Sequence, residues 1–133
     1  MQPELFRLPA FHCQARSEGG AWRRTRSSGV TWLLLHSARD EGDDSGDGSV
    51  LIRMDPGSSY PNHRHIGVEQ VLVLRGGYRD HWGEHRAGTC LRYPAGSEHH
   101  PVALGDSGRP IDDDNPECLL YVVSRGGVLD LNG

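Results

Sequence analysis

The 133-residue sequence contains no lysine, and all 14 of its basic residues are arginine. This absence excludes chemistry that needs a lysine amine: Schiff-base catalysis, pyridoxal phosphate attachment and the phosphate-binding lysine of a P-loop. The formal net charge is -4, so the chain lacks the basic face with which nucleic-acid-binding proteins neutralise phosphates. We therefore expect no nucleic-acid partner.

Cysteines and long apolar runs are also scarce. The three cysteines, Cys13, Cys90 and Cys118, form no Cys-x-x-Cys pair, which argues against a disulfide framework or a thiolate zinc site. The longest apolar runs span four or five residues. We therefore expect neither a signal peptide nor a membrane span, and predict a cytoplasmic protein.

Glycine is abundant instead, with 18 residues, and proline adds 8. This composition favours short strands and tight turns over long helices. We predict a single-domain, all-β barrel or double-sheet jelly roll with eight to ten short strands and no helix. The predicted strands are 30–37, 50–55, 69–75, 78–82, 84–86, 89–93, 99–104, 118–124 and 128–131.

The remaining segments are predicted to be irregular. Residues 1–29 are interrupted by proline and glycine and are expected to form an N-terminal arm or edge strand, with the barrel at 30–133. An arm that covers an open sheet edge of a second subunit would produce a homodimer. Two loops rich in acidic residues, 39–49 and 105–117, are expected to be solvated.

A histidine-rich segment contains the main chemical signal. His63 and His65 are two residues apart in a sequence of β-formers, so both imidazoles project from one face of an extended chain. Glu69 follows four residues later. Imidazole and carboxylate donors together suit a divalent first-row metal. An isolated His-x-His is more often an ordinary polar strand, so the segment alone leaves both interpretations open.

Two spaced segments together favour the metal interpretation. The first has the order Gly, His-x-His, Glu, Gly and contains Gly57, His63, His65, Glu69 and Gly76. The second has the order Gly, Pro-x-Gly, His and contains Gly88, Pro94, Gly96 and His99, with Ala103 where an asparagine would complete it. In this spacing the two segments resemble the two signature motifs of the cupin superfamily.

The resemblance implies an RmlC-like jelly-roll fold and a metal site. Its ligands would be His63, His65, Glu69 and His99, and the ion Fe2+, Zn2+, Mn2+ or Ni2+. Within the superfamily the sequence is most similar to the cupin domain of ChrR-type anti-sigma factors, whose relatives include diketone-cleaving dioxygenases. A six-coordinate ion with four protein ligands would keep two positions open for water, dioxygen or a substrate.

Three functions remain open at this stage. The first is a metal-dependent oxygenase-type enzyme that acts on a small oxygenated molecule. The second is a non-catalytic module that binds metal and responds to a ligand or to oxidants, as the anti-sigma resemblance implies. The third is a structural barrel without a functional metal, because a fold alone does not assign a function.

Several further residues are candidates for the site. His99 is preferred over His100 as a ligand by spacing, and neighbouring strand residues face opposite sides. Glu98 is a hypothetical general base. Tyr60, Tyr78 and Trp82 are possible pocket residues, with packing inside the barrel as the favoured alternative. His81 and His85 are further possible pocket residues, with surface placement as the alternative.

Overall fold

The computed structural model describes residues 2–8 and 22–130. These residues form thirteen strands and one turn of 3-10 helix. The elements, in chain order, are β1 (Glu4–Arg7), β2 (Arg23–Arg24), β3 (Val30–Ser37), the 3-10 turn (Ala38–Glu41), β4 (Gly48–Met54), β5 (His63–His65), β6 (Glu69–Arg75), β7 (Gly77–Asp80), β8 (Gly83–Arg86), β9 (Thr89–Tyr93), β10 (Glu98–His99), β11 (Val102–Ala103), β12 (Cys118–Ser124) and β13 (Val128–Asp130).

The strands form one large sheet and two small ones. The seven-stranded sheet has the order β1-β9-β6-β12-β4-β3-β2, and the three-stranded sheets have the orders β10-β5-β13 and β11-β7-β8. All of the pairings are antiparallel. The prediction of an all-β jelly-roll architecture is confirmed.

The hydrophobic core lies between the large sheet and the small ones. Val71 and Val122 project from the large sheet, and Tyr78 and Ala103 project from the β11-β7-β8 sheet into the same buried cluster. The alternation of side chains along each strand decides which residues enter this space. On β12, for example, Val122 is buried in the core while its neighbour Tyr121 is 37% exposed on the outside.

Four of the predicted strands have the predicted bounds, namely β3, β6, β9 and β12. Other details differ. The strand predicted at 78–82 ends at Asp80, and the strand predicted at 99–104 is divided into β10 and β11. Pro101 lies between the two and has no N–H to donate to a ladder, which explains the break. With this division and the additional short strands β1, β2 and β5, the described residues form thirteen strands, more than the predicted eight to ten.

A second difference is the 3-10 turn inside the loop predicted at 39–49. Ser37 accepts a hydrogen bond from the backbone N–H of Arg39 at the start of the turn, and Gly42 ends it in the left-handed conformation, at φ 78°. Glycine adopts this conformation without the steric penalty of a side chain. This four-residue turn is the one helical element among the described residues, which contain no α-helix.

The described part of the N-terminal region lies at the two edges of the large sheet. β1 pairs with β9 at one edge, and β2 pairs with β3 at the other. The predicted arm also includes residues 9–21, and with them Cys13, which lie outside the described residues. No helix in the described part of the chain is long and apolar enough to cross a membrane.

The conformation of Gly76, at the turn between β6 and β7, predicts that a larger residue there destabilises the fold. Its φ of 65° is in the left-handed region, and an added Cβ would collide with the carbonyl oxygen of Glu117. We expect Gly76→Ala to lower the free energy of unfolding by about 2 kcal/mol or more, measured by urea denaturation. Gly108→Ala, in an exposed loop, is the control and should change it by less than about 0.5 kcal/mol. Equal effects would contradict this assignment.

Candidate metal centre

Three strands and their pairings place four ligand-type side chains together. His63 and His65 project from the same face of β5, and both are buried. His99 lies directly opposite His63 because β10 pairs with β5 in that register. Glu69, the first residue of β6, comes from the large sheet on the other side of the core. The cluster therefore joins the two layers of the barrel.

The four side chains approach one another closely. Each offers one ligand atom, and these atoms lie within 4.8 Å of one another. The Nε2 atoms of His63 and His65 are 3.1 Å apart, and the Nε2 atom of His65 is 3.4 Å from Glu69 Oε1. Neighbouring donors around one ion, each about 2.1 Å from it, lie about 3 Å apart at right angles. The observed separations fit one shared ion.

The outer nitrogen atoms of two of these histidines identify the tautomers. His63 Nδ1 lies 3.0 Å from the carbonyl oxygen of Pro61, which can only accept a hydrogen bond. His65 Nδ1 lies 2.9 Å from Ser97 Oγ, whose own proton is donated to the carbonyl oxygen of Pro94. Both Nδ1 atoms must therefore carry the proton, which leaves both Nε2 atoms with a free lone pair toward the centre.

His99 is oriented by a carboxylate. Its Nδ1 lies 3.0 Å from Asp80 Oδ2. Burial alone would raise the pKa of Asp80, but the hydrogen bonds from His85, His99 and Tyr93 outweigh it and hold this pKa well below its usual range. Asp80 is therefore ionised at neutral pH and accepts the Nδ1 proton. Hydrogen bonds of this kind orient metal-ligating histidines and fix their tautomer.

Burial disfavours the charged forms of two of the imidazoles. It lowers the pKa of His63 to about 4, aided by repulsion from His99, and it also lowers the pKa of His99. In the neutral tautomers set by the outer hydrogen bonds, the Nε2 atoms of His63 and His65 face each other at 3.1 Å. Two buried acceptors without a hydrogen between them are unfavourable. A bound cation would satisfy both.

Glu69 supplies the negative charge in the cluster. Burial on its own would raise its pKa, but the contact with His65 and the proximity of His63 and His99 outweigh burial and lower it. One carboxylate and three neutral imidazoles carry a net charge of about -1, which a divalent ion converts to about +1. The residues present therefore fit a divalent first-row transition metal.

The sequence interpretation missed the group that connects this cluster to the rest of the core. Asp80 Oδ1 lies 2.8 Å from His85 Nε2, and Asp80 Oδ2 accepts a hydrogen bond from the Tyr93 hydroxyl at 2.8 Å. The hydroxyl oxygens of Tyr93 and Tyr78 are 2.6 Å apart. Strand alternation could have indicated the inward position of Asp80, because Asp80 is two residues after the core residue Tyr78 and both face inward along β7.

Two adjoining chambers lie beside the cluster. An inner chamber of about 80 Å³ is bordered by His63, Glu69 and His99, with Tyr60 and Tyr78 beside them. An outer chamber of about 310 Å³ adjoins it. Four residues border both chambers, and we refer to them as the neck: Ile52, Tyr60, Glu69 and Val122.

The structure separates the other sequence candidates. Tyr60 and Tyr78 border the inner chamber. His81 is exposed and contacts Trp82, which packs against the core but borders neither chamber. His85 is buried beside Asp80 rather than at the surface.

Glu98 and His100, the neighbours of His99, are both exposed. The Glu98 carboxylate lies 3.5 Å from Arg64 Nε on the outer side of the strand. A side chain in this position cannot reach the cluster, so we do not retain the general-base hypothesis for Glu98.

A jelly-roll barrel that holds three histidines and a glutamate around one interior point is a cupin. Comparison with known families makes the assignment narrower. The family described as the ChrR Cupin-like domain matches residues 13–109, and the chain belongs to this family. No curated protein shows a significant match to the chain.

Solved structures share the fold. The chain is 28% identical to a chain of the complex between Rhodobacter sphaeroides SigE and the anti-sigma ChrR, with a TM-score of 0.62 over 82% of this chain and 50% of that one. It therefore spans about half the length of that relative. Acetylacetone dioxygenase from Acinetobacter johnsonii gives a TM-score of 0.62 at 18% identity, over 92% and 87% of the two chains.

A third structure, the polyketide cyclase RemF from Streptomyces resistomycificus, gives a TM-score of 0.64 at 20% identity, over 91% and 86% of the two chains. At these identities the dioxygenase and the cyclase show a common fold and nothing more. The relatives therefore carry different functions on one barrel, and the site must decide between them.

The hydrogen bond between Asp80 and His99 predicts that Asp80 affects metal affinity. Without its carboxylate, His99 loses the acceptor that fixes its ring, so we expect Asp80→Ala to weaken metal affinity by about 10- to 100-fold. Competition with a chromophoric chelator measures this affinity. Asp106→Ala, at an exposed loop position, is the control for the loss of one negative charge. Equal affinities of the two variants for Zn2+, with circular dichroism unchanged in both, would contradict the positioning role.

Proposed function

We propose that the protein is a mononuclear metal-dependent oxygenase-type enzyme that acts on a small oxygenated molecule. One observation carries this proposal: the inner chamber is bordered by three of the four donors and adjoins a larger chamber. A purely structural metal site is normally closed by its protein ligands. Here the donors face a space that a small molecule can enter.

The residues that would hold the ion are His63, His65, Glu69 and His99. Fe2+, Mn2+, Ni2+ and Zn2+ all accept this donor set. When bound, such an ion supplies Lewis-acid polarisation of a substrate oxygen and, for a redox-active metal, the capacity to react with dioxygen.

The chain's own residues prepare the site for this chemistry. Met54, Val71 and Leu120 line the inner chamber with apolar surface, which excludes bulk water and strengthens electrostatic interactions inside. Asp80 holds the Nδ1 proton of His99 and so keeps the ring directed at the centre. Burial, chiefly, raises the pKa of Tyr78 and of Tyr93, so both hydroxyls keep their protons at neutral pH.

Metal content and oxygen consumption test this proposal together. We expect purified protein, reconstituted with Fe2+ without oxygen, to hold about one ion per chain and to consume oxygen with at least one member of a panel of diketones and hydroxyketones. His63→Ala should lower both metal content and oxygen uptake by about tenfold or more. His100→Ala, an exposed histidine beside His99, is the matched control.

Two outcomes would contradict the enzyme proposal. A stoichiometric metal without substrate-dependent oxygen uptake across the panel would argue against an oxygenase. The absence of a stoichiometric metal, together with unchanged stability of His63→Ala, would instead favour a structural barrel.

A second candidate is a non-catalytic module that binds metal and responds to a ligand or oxidant through a protein partner. The family match favours it, because one relative is a chain of the complex of SigE with the anti-sigma ChrR. This candidate predicts tight metal binding without turnover and an affinity for a sigma factor that changes when metal or oxidant is added. Turnover with no sigma-factor binding would favour the enzyme.

We also propose a homodimer formed through the outer face of the seven-stranded sheet. An apolar row crosses six neighbouring strands on that face and consists of Phe6, Cys90, Leu72, Tyr121, Leu51 and Leu33. Phe6 is 61% and Tyr121 37% exposed. The row is about 24 Å wide, which suits the roughly 800 Å² that each partner buries in a standard interface.

Tyr121→Glu places a charge in the middle of this row. We expect it to convert the dimer to a monomer, measured by light scattering coupled to gel filtration, because a buried unpaired carboxylate is strongly unfavourable. Ile111→Glu, on an exposed loop, should leave the mass unchanged. A monomeric parent protein at micromolar concentration would contradict the proposed dimer.

A further inference from the structure

The outer chamber is built by inward-facing side chains of neighbouring strands. Trp32 and Leu34 on β3 and Val50 on β4 line one wall, and Val122 on β12 continues it. Trp32 lies opposite Ile52 and Leu34 opposite Val50 in the sheet register, so these side chains form one continuous apolar surface. This surface leads from the protein exterior, where Leu34 is 39% exposed, to the neck.

The charges that face the cavity have one sign. Among the described residues, no arginine borders either chamber; Asp47 borders the outer chamber, and the charge of Glu69 at the neck belongs to the metal cluster. Asp47 accepts a hydrogen bond from the backbone N–H of Gly126 at 2.8 Å, which holds its carboxylate at this position. A negatively charged group in the outer chamber would find no counter-charge there, so the chamber disfavours anions.

Polar side chains along the wall are largely committed to the protein. The Thr25 hydroxyl donates to the carbonyl oxygen of Val30 at 2.8 Å, and Ser37 Oγ accepts from the backbone N–H of Arg39. His36 Nε2 lies 3.0 Å from Glu41 Oε1. The outer chamber therefore offers a ligand mainly apolar contact, and the metal donors at the far end of the cavity offer the polar contact.

We propose that the substrate is an uncharged, elongated molecule with an oxygen-bearing head and an unbranched or flat apolar body. This inference rests on the proposed function for its metal-binding head. The inner chamber of about 80 Å³ has the volume of two or three waters, which suits a head of a few atoms. The outer chamber of about 310 Å³ has the volume of about ten waters, which suits a body of about ten heavy atoms.

The neck residues limit the width of the ligand. A molecule that occupies both chambers contacts Ile52, Tyr60 and Val122, which border both, and Val122 is only 3% exposed within the core. A branched or bulky head would have to displace these packed side chains, which a close-packed core resists. The ligand can therefore be longer in the outer chamber, but its head cannot be wider.

Calorimetric titration with acetylacetone and its homologues, one alkyl chain lengthened by a methylene at a time, tests the proposal. The protein is loaded with Zn2+, which does not change oxidation state, so binding is measured without turnover. Affinity should increase roughly fourfold per methylene until the outer chamber is full. The same increments should persist in metal-free protein, because the body binds to the barrel and not to the ion.

Strand alternation supplies matched variants. Val50→Phe fills part of the outer chamber, and Leu51→Phe adds the same ring on the opposite face of β4. We expect Val50→Phe to weaken the binding of the longest homologues by about tenfold or more and to leave the affinity for acetylacetone unchanged. Leu51→Phe should change neither affinity. Leu34→Trp at the mouth, with Leu35→Trp as its control, repeats the test at a more exposed position if Val50→Phe fails to fold.

A homologue that ends in a carboxylate tests the charge argument. It should bind about tenfold or more weakly than the uncharged homologue of equal length. Absence of any chain-length dependence, equal effects of Val50→Phe and Leu51→Phe, or preferred binding of the carboxylate would each overturn the proposal. Chain-length-dependent binding without oxygen uptake would refute the oxygenase and leave this inference standing, and oxygen uptake without chain-length dependence would do the reverse.

Discussion

The close approach of two unprotonated imidazole nitrogens organises the interior of this barrel. His63 and His65 direct Nε2 atoms at each other across 3.1 Å, and acceptors behind both rings fix the protons on the far side. This arrangement is unfavourable in an apolar interior unless a cation lies between the rings. The geometry of β5 maintains it, as do the Ser97 hydroxyl oxygen and the backbone carbonyl of Pro61, which accept the Nδ1 protons of His65 and His63.

Both layers of the fold contribute to this interaction. The small β10-β5-β13 sheet supplies the three histidines, and the large sheet supplies Glu69 from the first position of β6. The third sheet supplies Asp80, which orients His99 and connects it to Tyr93 on β9. Ligand orientation is therefore a property of how the sheets pack, and not of one local segment.

The sequence predicted those features that depend on short-range periodicity. Alternation along β5 placed His63 and His65 on one face, and the same parity separated His99, which the structure buries, from the exposed His100. The contacts of Asp80 could not be predicted, because they depend on how β7 in one sheet lies against β10 in another. The break at Pro101 differs from these contacts, because its cause is local: proline has no N–H to donate to a ladder.

The facing Nε2 atoms of His63 and His65 also affect the stability of the protein when metal is scarce. A ligand that binds only the folded chain adds stability in proportion to the logarithm of its free concentration over its dissociation constant. The empty barrel keeps the repulsion between its acceptors, and the loaded barrel does not. The abundance of folded protein in a cell would therefore follow the supply of available metal, because proteases degrade the less stable metal-free protein faster.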